Sequence, residues 1–302
     1  MNKRFLLKTL LGFSLVILLT PGLLYLALHL TRPLPLSKQE QQLFKGITYQ
    51  RIRRTKPDAL MIHLVKIDLT EPGIELLVTP GEPGEDKRDI AAQTTSEFLQ
   101  KYDLQLAING SFFHPFYVNG PIDYYPYSGE RVNILGQAIS QGKIYSNVNK
   151  GWSVLCISPE KKAEILPDTC PKNTVHGLAG NMILIERGQP VKFKKFSDIN
   201  KKFPRTAVAI DKSGETLWLI LIDGRQSLYS QGATLATLTD IIQEIEGVET
   251  ALNLDGGGST TLVISEGTNA KVLNAPFHSR IPMRQRPIAN HLGIYALPVE
   301  EK

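Results

Sequence analysis

Cysteine and histidine are scarce in this chain, with two and six in 302 residues, and none of them falls into a cluster with zinc-ligand spacing. No EF-hand-like series of Asp and Asn occurs either, so the reading includes no metal and no cofactor. A Gly-x-Ser-x-Gly elbow is absent, which argues against a serine hydrolase. An aspartic protease needs two carboxylates from two similar loops, and only one Asp-Gly-Gly-Gly-Ser segment is present. There is no internal repeat and no heptad pattern. Charge of one sign is lacking too: Lys3, Arg4 and Lys8 are the only charges before residue 31, and beyond them 31 basic residues face 29 acidic ones. The pI near 9.0 therefore owes as much to the amino terminus as to the rest. Lys192, Lys194 and Lys195 form a short cluster that reads as a solvated loop, so no nucleic-acid partner is expected.

What is present begins with an apolar run from Thr9 to Leu30, broken by Pro21-Gly22. Its length suits one membrane span of about 20 residues. It is long for a signal-peptide core of about 7 to 15 residues, and no clear cleavage site follows. Residues 1–30 thus read as an uncleaved transmembrane anchor with a cytoplasmic basic flank, which puts the rest outside, in the periplasm or at the cell surface. Residues 31–46 read as a tether and residues 47–302 as one domain. Export permits a disulfide between Cys156 and Cys170, a short staple that would contribute about 3 kcal/mol in the chain-entropy model; two free buried thiols are the alternative.

Alternating or continuous apolar runs predict strands over 60–69, 74–79, 104–108, 151–157, 182–186, 206–210, 217–222, 251–254 and 293–297. Helices are fewer. One is expected from an Asp89 cap through Tyr102, and a second from Ala233 to Glu246, ended by Gly247. The mixture predicts an α+β domain with a large mixed or antiparallel central sheet flanked by a few helices.

The most informative segment is Asn253-Leu-Asp-Gly-Gly-Gly-Ser-Thr260, which sits between two apolar runs and reads as a tight strand-to-strand connection. Glycines let backbone approach a ligand, and successive N–H groups there can form an anion-binding nest. A plain glycine-rich hairpin is the bland alternative. Other polar clusters follow or precede strands: Asn109-Gly110, Asp223-Gly224-Arg225 and Arg205-Thr206. Acids, cations and close-approach backbone gathered at strand ends are suited to a sugar or a phosphate.

Five blocks, Ala107–Phe113, Arg205–Ala209, Leu221–Arg225, Ala251–Thr260 and Arg286–Asn290, resemble in order those of the phosphodiester glycosidases. The segment Gly177-Leu-Ala-Gly-Asn-Met182 departs from that pattern. The resemblance implies hydrolysis of a sugar-1-phosphodiester, of the N-acetylglucosamine-1-phosphodiester kind, to free sugar and phosphomonoester, with an envelope glycan, exopolysaccharide or sugar phosphate as substrate. Asp255 and Asp223 are then the candidate catalytic carboxylates. Arg205 and Arg225, with the N–H groups of Gly256, Gly257 and Gly258, would clamp the phosphate. Asn109, Asn253, Ser259 and Thr260 would hold hydroxyls, phosphate oxygens or the acids, with Gly110, Thr206, Arg286 and Asn290 completing the substrate site. The alternative is an envelope-anchored module that binds polysaccharide or phosphoglycan without turnover.

Overall fold

A computed structural model describes residues 20, 22–34, 40–82, 84–85, 88–192 and 199–299. Most of the apolar run expected to cross the membrane lies outside these residues. Residues 22–30 are helical, and among the described residues no helix is long and apolar enough to cross a membrane. The segment read as a tether enters the sheet at Gln41, where Gln41–Phe44 pairs with Ile47–Arg54.

Three antiparallel sheets enclose the main core. The largest has eight strands, in the spatial order Gln41–Phe44, Ile47–Arg54, Leu60–Asp68, Thr216–Ile222, Arg205–Ile210, Thr250–Asn253, Met182–Glu186 and Gln189–Pro190. A five-stranded sheet runs Asn269–Val272, Leu262–Glu266, Leu106–Asn109, His291–Tyr295, Glu75–Val78, and another carries Ser153–Ile157 between His176–Gly180 and Ala163–Pro167. Every described pairing between named strands in these sheets is antiparallel, so the expected α+β class with a large sheet holds.

Strand periodicity divides the two faces of the large sheet. In Thr216–Ile222, Leu217, Leu219 and Leu221 point into the core shared with the other two sheets, alongside Ile108, Leu155 and Leu292. The alternate residues Trp218, Ile220 and Ile222 face a second cluster, closed by helix α2 (Leu235–Gln243) through Leu235, Leu238, Ile241 and Ile242. Burying a side chain of this size contributes about 1.5–3 kcal/mol. Helix α1 (Thr95–Lys101) covers the five-stranded sheet with Phe98 and Leu99 against Leu104, Ala107 and Val263.

Both helices are shorter than their apolar spacing suggests. Helix α1 starts at a capping box between Thr94 and Glu97 rather than at Asp89, because the Asp89 carboxylate accepts the Ile134 N–H at 2.8 Å and Ile90–Ala91 pairs as a strand with Arg131–Val132. Thr234 caps α2. Cys156 and Cys170 are joined in a disulfide, with Cα atoms 5.6 Å apart.

Several histidines are buried in neutral form. Burial pushes His176 down to about 4 and His291 down to about 3, against an unfolded value near 6.5. Below pH 6.5 the unfolded chain therefore binds protons that the native state refuses, so stability is full above that pH and falls as the pH drops toward 4, by about 1.4 kcal/mol per unit for each such ring. The ring resonances of His176 and His291 are expected not to titrate between pH 7 and 5 by NMR; a midpoint near 6.5 for either would refute neutral burial.

Candidate active site

The glycine-rich segment is not a hairpin. Strand Thr250–Asn253 lies in the eight-stranded sheet and Leu262–Glu266 in the five-stranded one, so residues 254–261 cross between sheets. At that junction Asn109 ends its own strand, and its Oδ1 accepts from Thr206 Oγ1 (2.9 Å) and Thr261 N (3.2 Å) while its Nδ2 donates to the Asp255 carbonyl at 2.5 Å. The Asp255 N–H donates to the Gly110 carbonyl. A Cβ on Gly110 would lie 2.6 Å from Asn290 Oδ1, and that same oxygen accepts the Ser111 N–H at 2.8 Å. Asn109, Gly110, Thr206, Thr260 and Asn290 are therefore framework that sets the crossing, fully enclosed and away from the pocket wall, rather than the sugar contacts expected of them.

Above this frame opens a cavity of about 290 Å³. Asp255 lies on its floor, flanked by Asn253, Gly256 and Gly257, with Arg205, Arg225 and Arg286 around it. Phe112, Phe113, Phe116 and Phe203 supply apolar wall. A larger groove of about 350 Å³ runs along α2, lined by aliphatic residues and Trp218 together with Thr48, Gln50, Lys66 and an Arg54–Glu244 ion pair, and it holds none of the strand-end cluster.

Ser259 joins the acid to a cation. Its Oγ donates to Asp255 Oδ2 at 2.5 Å and accepts from Arg286 Nη1 at 3.1 Å. Burial raises the Asp255 carboxyl above the usual carboxylate range, and Arg286, Ser259, the Gly256 N–H and Arg225 pull the other way. Arg286 is itself brought down to about 10 by burial, with Asp255 opposing the shift, and remains charged at neutral pH. Its guanidinium sits 4.7 Å over the Phe116 ring and its Nε donates to His278 Nδ1 at 3.2 Å. That bond makes His278 a neutral ring protonated at Nε2, in keeping with a value pushed to about 3 by burial and the neighbouring arginines.

The glycines have separate tasks. A Cβ on Gly258 would come within 2.6 Å of the Arg286 guanidinium, and one on Gly256 within 2.7 Å of the Pro204 carbonyl. Gly257 adopts φ +60° and spends its N–H on Pro204 O at 2.8 Å, so the three N–H groups do not form the expected nest. Arg205 is likewise committed, donating from Nε to Ala233 O and from Nη2 to Lys201 O, both at 2.9 Å. The Arg225 guanidinium stacks over Phe203 at 5.4 Å and makes no hydrogen bond or ion pair among the described residues, while its backbone N–H donates to Gln231 O. Its backbone sits at φ +61°, a conformation that costs a non-glycine residue about 1 kcal/mol or more and concentrates at functional sites.

Asp223 does not line the cavity. It is buried on the far side of the Arg225 loop, where Oδ2 meets His63 Nε2 at 2.9 Å and Oδ1 accepts from Asn274 Nδ2 (2.9 Å) and Ala275 N (3.0 Å). Both of its oxygens are thus engaged by neighbouring groups, the arrangement of a brace, and the structure does not bring it together with Asp255 in the cavity lining. Residues 32–34 close over this region, Tyr229 donating to Pro33 O at 3.1 Å and Arg51 to Leu34 O at 2.6 Å.

Asn181, Phe116, Phe203 and His278 escaped the sequence reading. Asn181, in the divergent 177–182 segment, accepts from Asn253 Nδ2 at 2.8 Å. Phe116 and His278 had no motif to mark them, since a lone aromatic or histidine reads as core.

Residues 102–295 match the family of phosphodiester glycosidases. The chain belongs to that family. A comparison with curated proteins found no match. Among solved structures, the chain is similar to the catalytic domain of zebrafish N-acetylglucosamine-1-phosphodiester α-N-acetylglucosaminidase, solved auto-inhibited by its pro-peptide, with 22% identity, 86% of each chain covered and a TM-score of 0.55. It is also similar to a hypothetical protein from Synechocystis (16% identity, 83% of this chain and 62% of that one, TM-score 0.52) and to a protein from Burkholderia pseudomallei (12%, 80% and 74%, TM-score 0.53). The chain thus spans about six-tenths of the Synechocystis protein. At these identities the structural likeness speaks to fold, and the family match to the general hydrolase reading.

If Asp223 is a brace, Asp223→Asn should lower stability by about 3 kcal/mol in a denaturant midpoint, as for a broken buried pair, with turnover per folded molecule within a few-fold of the parent. A thousandfold fall in that turnover would restore it to the chemistry.

Proposed function

We propose that this phosphodiester glycosidase hydrolyses a sugar-1-phosphodiester in its Asp255 cavity, releasing free sugar and a phosphomonoester. The observation that carries this reading is charge: three arginines and one carboxylate line the cavity, a surplus of positive charge that an anionic substrate would offset. The aromatic walls suit a ring with an apolar face, and Asn181 and Asn253 supply amide groups for hydroxyls.

The reaction passes through an oxocarbenium-like transition state. The departing phosphomonoester has a second pKa near 6, so it leaves as an anion with little need of a proton donor. That fits a cavity whose lining contains a single carboxylate. Asp255, oriented by Ser259, either takes the proton of a water that attacks the anomeric carbon or attacks that carbon itself, with water then opening the glycosyl intermediate; in both routes the bond from the anomeric carbon to the phosphate oxygen breaks. Arg286 and Arg225 take the departing phosphate, and their field is strongest where the walls exclude water. Arg205, with two donors tied to carbonyls, supplies charge at longer range. The apolar run from Thr9 to Leu30 supports a membrane-held protein acting on envelope or extracellular glycans.

The test is sugar release from UDP-N-acetylglucosamine and from methyl-phospho-N-acetylglucosamine. The parent is expected to release sugar and Asp255→Asn to lose at least a thousandfold in rate. Arg225→Ala should lower kcat/KM on the phosphodiester by 10- to 100-fold while barely affecting an aryl glycoside of the same sugar. Glycan binding with no release by the parent would favour the non-enzymatic binding module.

A further inference from the structure

Phe116 belongs to two places at once. It walls the cavity, lying over the Arg286 guanidinium, and it opens an aromatic hairpin that projects from the cavity mouth. The hairpin pairs Tyr117–Val118 with Tyr124–Tyr125. Its turn is tied by the Asn119 and Gly120 N–H groups on Asp123 O and by Asn119 Nδ2 on Asp123 Oδ2 at 3.0 Å. It is fastened to the body at three points: Tyr124 meets His278 edge-on at 4.7 Å, Arg284 donates to Pro121 O at 2.5 Å, and Tyr125 donates to Arg131 O at 2.6 Å.

Several of its apolar side chains nevertheless stay open. Ile122 is 84% exposed and Phe116 50%, and Tyr117, Val118 and Tyr127 are exposed as well. Apolar side chains gathered this closely at a cavity mouth mark a contact surface. Chemistry narrows what it contacts. Residues 113–130 contain Asp123 and Glu130 and no lysine or arginine, and the arginine packed on the hairpin, Arg284, donates to Pro121 O and Ser279 Oγ. Asp123 is engaged with Asn119, and Glu130 accepts the Tyr127 N–H at 2.7 Å. Ile122 and Val118 have no hydrogen bond to give a sugar ring.

The path of the substrate leads to the same surface. On the proposed reading, with the phosphate at Arg286 and the sugar over Asp255, the group esterified to the far side of the phosphate comes next to Phe116, whose ring covers that guanidinium at 4.7 Å. We propose that this group is an apolar chain, such as a prenyl or alkyl chain, and that the hairpin is its subsite. The substrate class is then a lipid-linked sugar phosphate. This inference rests on the hydrolytic reading of the Asp255 cavity and adds to it the identity of the leaving group.

The experiment compares three phosphodiesters of one sugar, with methyl, octyl and hexose groups beyond the phosphate, using the full chain. The octyl ester is expected to show a KM at least tenfold below that of the methyl ester. Ile122→Ser and Tyr117→Ser should each raise the octyl KM several-fold and leave kcat/KM for the methyl ester unchanged, a split that general loosening of the fold would not produce. Hydrolysis of the methyl ester with no octyl advantage, a stronger preference for the hexose ester, or an octyl preference that survives both substitutions would overturn the subsite while leaving the hydrolytic reading intact. Failure to hydrolyse any of the three would overturn both.

Discussion

One buried amide fixes the geometry on which the cavity depends. Asn109 accepts from the Thr206 hydroxyl of the large sheet and from the Thr261 N–H of the crossing segment, and donates to the Asp255 carbonyl. None of these groups can turn to water. Leaving a buried donor or acceptor unmade costs about 1–3 kcal/mol, so relative movement of the two sheet edges or of the Asp255 backbone would break several bonds together. A side chain bound to a hydroxyl of the large sheet and to backbone of the crossing segment thus sets the position of an acid that it never touches through its carboxylate. The same logic explains Gly110 and Asn290, whose contact leaves no space for a Cβ.

Electrostatics then act on a backbone already held. The cavity raises Asp255 by burial and lowers it through Arg286 and Ser259, and a carboxyl subject to opposing influences responds to what enters the site. A sugar that displaces water strengthens the burial effect, whereas a phosphate anion competes for Arg286. The neutral His278 accepts from Arg286 Nε and so orients the guanidinium without adding charge. Orientation matters here because arginine presents its donors in a fixed fork.

Much of this was legible in the sequence, for identifiable reasons. Strands buried on both faces, such as Thr216–Ile222, announce themselves by unbroken apolar runs, and the segment 253–260 by a density of glycine, acid and hydroxyl that ordinary turns do not need. What escaped is whatever depends on two distant segments meeting. Asp223 beside Gly224 and Arg225 resembles a catalytic acid locally; only pairing of Thr216–Ile222 with Leu60–Asp68 places His63 against it. Arg205 looks like a phosphate ligand until the Ala233 carbonyl arrives from the start of α2. Phe116 and His278 carry no local signal at all, because their roles come from a guanidinium 170 and 8 residues away along the chain.

The displacement of Asp223 bears on the chemistry rather than merely on the roster of residues. Glycosidases that expel an alkoxide use a pair of carboxylates because the leaving oxygen must be protonated. A phosphate monoester leaves about ten pKa units more readily than an alcohol, on the order of its second pKa near 6. Stabilising its negative charge does the work that a proton would do, and a guanidinium does that better than a carboxylic acid. On the proposed reading, a cavity that offers Arg225 and Arg286 in place of an acid partner suits anionic leaving groups. The second acid, freed from the cavity, stands behind the loop that bears Arg225. Buried and doubly engaged, it steadies the left-handed turn that aims that arginine at the site.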